Sequence, residues 1–153
     1  MRVDYGTTFP AAMKAMVGLE KAVHSSTLEP ELLELVKLRA SQINRCGACI
    51  DMHTKDAEAM GVPPQRLHLT AAWEEAPVYS ERERAALAWT EALTLLAETG
   101  APDHVYAEVE KQFDPEEIVA LTLSVVAING WNRLNVGLRS AVGGYVPGQY
   151  AGR

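Results

Sequence analysis

Cysteine is scarce in this 153-residue chain, with only two copies. A fold stapled by several disulfides is thereby excluded, and a chain of this length can bury a core without them. Aromatic residues make up only 7% of the sequence, too few and too spread out to build an aromatic box. Core or interface packing is the expected role of Trp73, Trp89, Trp131, Tyr79 and Tyr106. Positive charge is also short. A net charge of −6 argues against nucleic acid or an anionic membrane as a partner. The longest apolar run, Ile118 to Ile128, is 11 residues. A bilayer span needs about 20. No apolar leader follows Met1 and no G-x-x-x-x-G-K phosphate loop is present. The reading is a cytoplasmic protein, a compartment in which two close cysteines point to redox chemistry or metal binding rather than to a structural bridge.

Period-2 alternation is missing too, so strands are not expected, and the punctuation is helical throughout. Apolar residues at helical spacing follow Pro10 and again follow Pro30. A third helix runs from Cys46 to Met60 and stops at Gly61, and a short one covers Gln65 to Ala72. Ser80 and Glu83 form a capping-box pattern opening a helix that ends at Gly100. Another helix runs from Pro102 to about Phe113. Asp114 caps the last, Glu116 to about Arg139, whose first half is apolar nearly all round and so belongs inside the domain or in a subunit interface. The expectation is an all-α fold of about seven helices in one domain spanning 1–153, with an extended C-terminal arm over 143–153.

Both cysteines fall in one stretch, SQINRCGACIDMH, residues 41–53. On a helix, Cys46, Cys49 and His53 lie at about 0°, 300° and 340°, so all three project from one face. The cysteine Cα atoms would be about 5 Å apart, within disulfide range. Cys49 and His53 are one turn apart, where imidazole and sulfur can meet. The first turn of a helix also favours an anion, which lowers thiol pKa and raises reactivity. A dithiol with a neighbouring base is therefore the leading reading. Zinc is a rival, since C-x-x-C-x-x-x-H offers three ligands. His24, His68 and His104 are the candidates for a fourth, though none sits in a recognisable half-site. Two neighbouring core cysteines are the bland alternative. Asn129, Asn132 and Asn135 form a polar stripe that either lines a pocket or knits a subunit contact, and Arg133 beside them is read as a solvated cation.

The segment Glu34 to Ala57, ELVKLRASQINRCGACIDMHTKDA, resembles the core motif of the alkylhydroperoxidase D (AhpD-like) family. That family is the cysteine-bearing branch of the carboxymuconolactone decarboxylase superfamily. Downstream, SERERAALAWTEALT and INGWNRL are similar to its short members. The resemblance implies an intertwined helical oligomer, a homotrimer or homohexamer, with thiol peroxidase activity and no bound cofactor or metal. By position, Cys49 would be the peroxidatic thiol, Cys46 the resolving thiol, His53 the proton relay and Glu34 its orienting partner. It implies a hydroperoxide substrate and a thiol or dithiol electron donor such as a lipoyl carrier. Decarboxylation of a small carboxylate and a non-enzymatic redox sensor are the rival classes.

Overall fold

The computed structural model describes residues 1–150. Among these the chain is all helical. The N-terminal segment forms α1 (Tyr5–Thr8) and α2 (Pro10–His24), followed by α3 (Pro30–Ile43) and α4 (Gly47–Ala59). Next come α5 (Pro64–Leu69) and a 3₁₀ turn (Thr70–Ala72). The chain continues through α6 (Glu81–Thr94), α7 (Leu96–Thr99), α8 (Asp103–Gln112) and α9 (Pro115–Leu138). None of these helices is long and apolar enough to cross a membrane.

Among the described residues nine α-helices form where about seven are expected, the two extra ones being short and local in origin. Asp4 caps a first short helix by accepting from the amides of Gly6 and Thr7. The helix expected to run from Ser80 to Gly100 breaks at Leu95, where the Ala92 carbonyl accepts the Thr99 hydroxyl. Both capping boxes are complete, Ser80 with Glu83 and Asp114 with Glu117. Each cap contributes about 0.5–2 kcal/mol. Gly61 and Gly100 end their segments with φ of +92° and +66°, a conformation that glycine adopts without a Cβ clash.

α3 is the axle. It packs against α4, α6 and α9, and every residue from Leu32 to Leu38 is buried. One side carries Leu32, Leu33 and Val36 into a core with Trp89, Phe113 and Leu121. Another carries Leu35 and Leu38 against Ala57, Leu67, Trp73 and Leu87. Burying one such leucine stabilises the fold by about 1.5–3 kcal/mol. A third face is polar yet buried: Glu34, Lys37 and Ser41, at positions i, i+3 and i+7, share it. That face meets α4 and α9, and the site forms there.

α9 is not buried all round. Leu121, Val125 and Ile128 face inward, while Val119, Leu123 and Val126 form an apolar stripe on the surface. Beyond α9 the described part of the arm turns back onto α4. Lys55 Nζ donates to the carbonyls of Gly143 and Tyr145, and the Tyr145 hydroxyl donates to the Asp56 carboxylate at 2.8 Å. Residues 151–153 lie outside the described residues.

Candidate active site

The turn from α3 to α4 sets the first cysteine. Arg45 adopts φ +55°, a left-handed conformation that costs a non-glycine residue roughly 1–2 kcal/mol, and it reverses the chain. Cys46 follows in an extended conformation as the N-cap of α4, not in its first turn as the spacing alone predicted. Its sulfur accepts the amide of Cys49 at 3.4 Å, and its carbonyl accepts the amide of Ile50. Capping at Cys46 thus replaces the usual Ser or Asp by a sulfur.

The two cysteines form a disulfide with Cα atoms 5.3 Å apart, matching the distance helix geometry implied. Both are buried in a small apolar cluster with Ala40 and Ile128, against which Trp131 packs. The Val142 side chain lies over Gly47, between the cysteines. A Cβ at Gly47 would come within 3.3 Å of Val142 Cγ2, so the missing side chain is what admits the arm.

His53 lies on α4 one turn beyond Cys49 and is 6% exposed. Its Nδ1 is 2.8 Å from Glu34 Oε2 on α3. The position predicted for Glu34 therefore places it against His53 directly, with no bridging atom needed. Burial pushes the Glu34 carboxyl up. The His53 charge and hydrogen bond, helped by Lys37 and His24, outweigh that and hold it below the ordinary carboxylate range. A carboxylate facing Nδ1 fixes the N–H there. The lone pair of Nε2 is then left facing inward, and Nε2 has no hydrogen-bond partner among the described residues. Unpartnered buried polar atoms are uncommon, and here the atom is a base.

A second polar group stands behind Glu34. Lys37 Nζ is 2.8 Å from Glu20 Oε2, whose other oxygen accepts the Trp131 indole N–H. His24 Nε2 lies 3.4 Å from the same ammonium. His24 is thus spent beside Glu20 and Lys37, while His68 and His104 are exposed on α5 and α8. Among the described residues no group of three or more His, Cys, Asp or Glu side chains is placed to hold a metal ion.

The asparagine stripe divides its labour. Asn44 donates to the side chains of both Asn129 and Asn132, and Asn132 donates to Ser41. Asn135 alone reaches the dithiol, its Nδ2 donating to Cys49 Sγ at 3.3 Å. Arg133 is tied to the Asn129 side chain and carbonyl. Of the aromatic residues, Trp73 and Trp89 are buried with their indole N–H groups bonded to Glu91 and Thr122, while Tyr106 stays partly exposed.

Residues 10–92 match the model of the carboxymuconolactone decarboxylase family. An uncharacterized protein of Bacillus subtilis (strain 168), YdfG, is 41% identical over 90% of this chain and 93% of its own length. A crystal structure of a protein of unknown function from Agrobacterium tumefaciens superposes with a TM-score of 0.90 and 46% identity. That match covers 94% of this chain and 99% of the other, and the suggested role of the Agrobacterium protein is antioxidant defence protein AhpD. The debrominase Bmp8 in complex with 2,3,4-tribromopyrrole matches with a TM-score of 0.80 and 19% identity, over 90% of this chain and 74% of its own. This last likeness concerns the fold alone, and the fold by itself does not choose a reaction.

Proposed function

The chain belongs to the carboxymuconolactone decarboxylase family, in its AhpD-like branch, and we propose that it is a dithiol-dependent peroxidase. The observation that carries this reading is the Cys46–Cys49 pair at the start of the helix that bears a buried His53, whose Nδ1 is held by Glu34 and whose Nε2 has no partner among the described residues. Decarboxylation of a small carboxylate would leave that dithiol without a part.

In the reduced protein His53 Nε2 takes the proton of the Cys49 thiol. The thiolate attacks one oxygen of a hydroperoxide, the O–O bond breaks, and the alcohol leaves carrying the proton returned by His53. Cys49 is then a sulfenic acid. The Cys46 thiol attacks its sulfur, releasing water and forming the disulfide. An external dithiol, such as a lipoyl carrier, reduces the bridge and is itself oxidised to a disulfide. Glu34 acts through His53, keeping its tautomer and angle. The exposed Val119–Leu123–Val126 stripe supports assembly into a homotrimer or homohexamer.

The test is consumption of an organic hydroperoxide in the presence of a dithiol reductant, with sulfenic acid trapped in single variants. Turnover lost in both Cys49→Ser and Cys46→Ser, with trapped sulfenate only in Cys46→Ser, is the expected result. Persistent sulfenate at Cys46 in Cys49→Ser would reverse the roles. One oxidation per chain without turnover would make the protein a sensor.

A further inference from the structure

Asn135 approaches Cys49 from α9, a helix that contributes neither cysteine, histidine nor glutamate to the site. We propose that Asn135 is a catalytic residue, the group that receives negative charge on the Cys49 sulfur, and that Tyr5 is its positioning residue. This rests on Cys49 being the reactive thiol and adds what stabilises it.

Two observations fix the amide. A disulfide sulfur carries no proton, so only the NH₂ end of Asn135 can face Cys49 with a hydrogen bond. The oxygen end then faces Tyr5, whose hydroxyl donates to Oδ1 at 2.9 Å. Tyr5 is itself held. Its ring packs on Trp131, centroids 6.4 Å apart, and the Arg2 backbone and side chain bond the carbonyls of Leu138 and Gly137 at the end of α9. The N-terminal segment is thus a clamp that aims one N–H at one sulfur. Among the described residues, the ionisable groups tied to the surroundings of that sulfur include His53, one turn beyond Cys49 on α4, Glu34 bonded to it from α3, and Tyr5 bonded to Asn135.

A donor aimed at a sulfur matters when that sulfur becomes an anion, because a hydrogen bond to a charged acceptor is roughly twice as strong as a neutral one. That happens twice in the cycle. When the thiolate of the dithiol donor attacks Cys46, the Cys46–Cys49 bond breaks and its electron pair leaves on Cys49. A mixed disulfide forms at Cys46, which the donor's second thiol then resolves, oxidising the donor to its disulfide and freeing Cys46. Later the same Cys49 thiolate waits for peroxide. Cys46 has the helix-capping amide of Cys49 instead. The two sulfurs are therefore stabilised by different groups, and Asn135 serves only the second.

The test reads the sulfur and not the turnover. In a Cys46→Ser background, iodoacetamide alkylation of Cys49 is followed against pH for the parent and for added Asn135→Leu, Asn135→Asp and Tyr5→Phe. Circular dichroism reports the helix content of each. Asn135→Leu is expected to move the profile to higher pH and slow alkylation at neutral pH about tenfold. Asn135→Asp, of nearly the same shape but presenting an acceptor, slows it at least as much, and Tyr5→Phe about threefold. In a Cys49→Ser background Asn135→Leu leaves the Cys46 profile where it was. An unchanged Cys49 profile in the folded variants, or an equal shift at both cysteines, overturns the proposal. If peroxide turnover is absent while the Cys49 profile still moves, the peroxidase reading fails and the role of Asn135 stands.

Discussion

Glu34 and His53, nineteen positions apart, meet at 2.8 Å in the seam between α3 and α4 with both side chains almost fully buried. The contact is made by the packing of the two helices, and it leaves the far nitrogen of the imidazole as the only uncommitted base beside the sulfurs among the described residues.

Removing that base should be costly to turnover. Positioned general acid–base groups contribute about 10²–10⁴-fold. His53→Gln is expected to lower kcat/KM for a hydroperoxide by at least about 100-fold, and Glu34→Gln by about tenfold, since the imidazole stays but loses its anchor. Steady-state peroxide consumption measures both. Equal rates for Glu34→Gln and the parent would remove the glutamate from the relay.

Glu34 also predicts an acid limb of stability. Its carboxyl titrates below the ordinary value of 4.5 in the folded protein, despite burial, because His53 favours the charged form. The stability it contributes is therefore present above that ordinary value and is lost as pH falls through the depressed one. Glu117, held down chiefly by its hydrogen bond to Arg82, acts in the same window, so the informative quantity is a difference. The gap in urea midpoint between the parent and Glu34→Gln should be widest near neutrality and narrow as pH drops below about 4.5. A gap constant from pH 6 to pH 3 would contradict an ionised Glu34.

Lys37 offers a test of the buried charge behind the site. Its side chain is 3% exposed and its main partner is Glu20. Lys37→Met strands that carboxylate and should cost about 3 kcal/mol, the lower end for a broken buried pair. Adding Glu20→Gln should return much of the loss. Urea denaturation of the parent, both singles and the double completes the cycle.

The arm should govern how quickly the bridge is reached by a reductant. Tyr145→Phe removes the hydroxyl that donates to the Asp56 carboxylate. Loosening the arm by one hydrogen bond is expected to speed disulfide reduction by a small dithiol about threefold to tenfold. Val142→Ala should act in the same direction by uncovering Gly47. Unchanged rates in both would mean that the reductant enters elsewhere.

Much of this architecture was legible from residues. Proline and glycine placed the helix boundaries because they act locally, and the two capping boxes formed where their side chains predicted. The spacing of Cys49 and His53 put them one turn apart on α4 because helix geometry decides that, whereas Cys46 stands just outside the helix as its extended N-cap. Glu34 was different. It is one of three acids in EPELLELV, and only the family resemblance singled it out, since its partner lies on another helix. A local sign did exist, because Glu34, Lys37 and Ser41 share one face of an otherwise apolar helix. Asn135 was visible only as one member of the Asn129, Asn132 and Asn135 stripe, with nothing to separate it from the other two. Residues three apart on a helix drift by about 60° at each step. Asn129 and Asn132 still share Asn44 as a partner, Asn135 lies a further step round, and only packing assigns that last one to the sulfur.

Both ends of the chain bear on the same sulfur pair, one through Tyr5 and Asn135, the other through Val142 above Gly47. An affinity tag or fluorescent fusion at either end would pull on one of these two restraints. Thiol reactivity measured on tagged protein would then report the tag as much as the site.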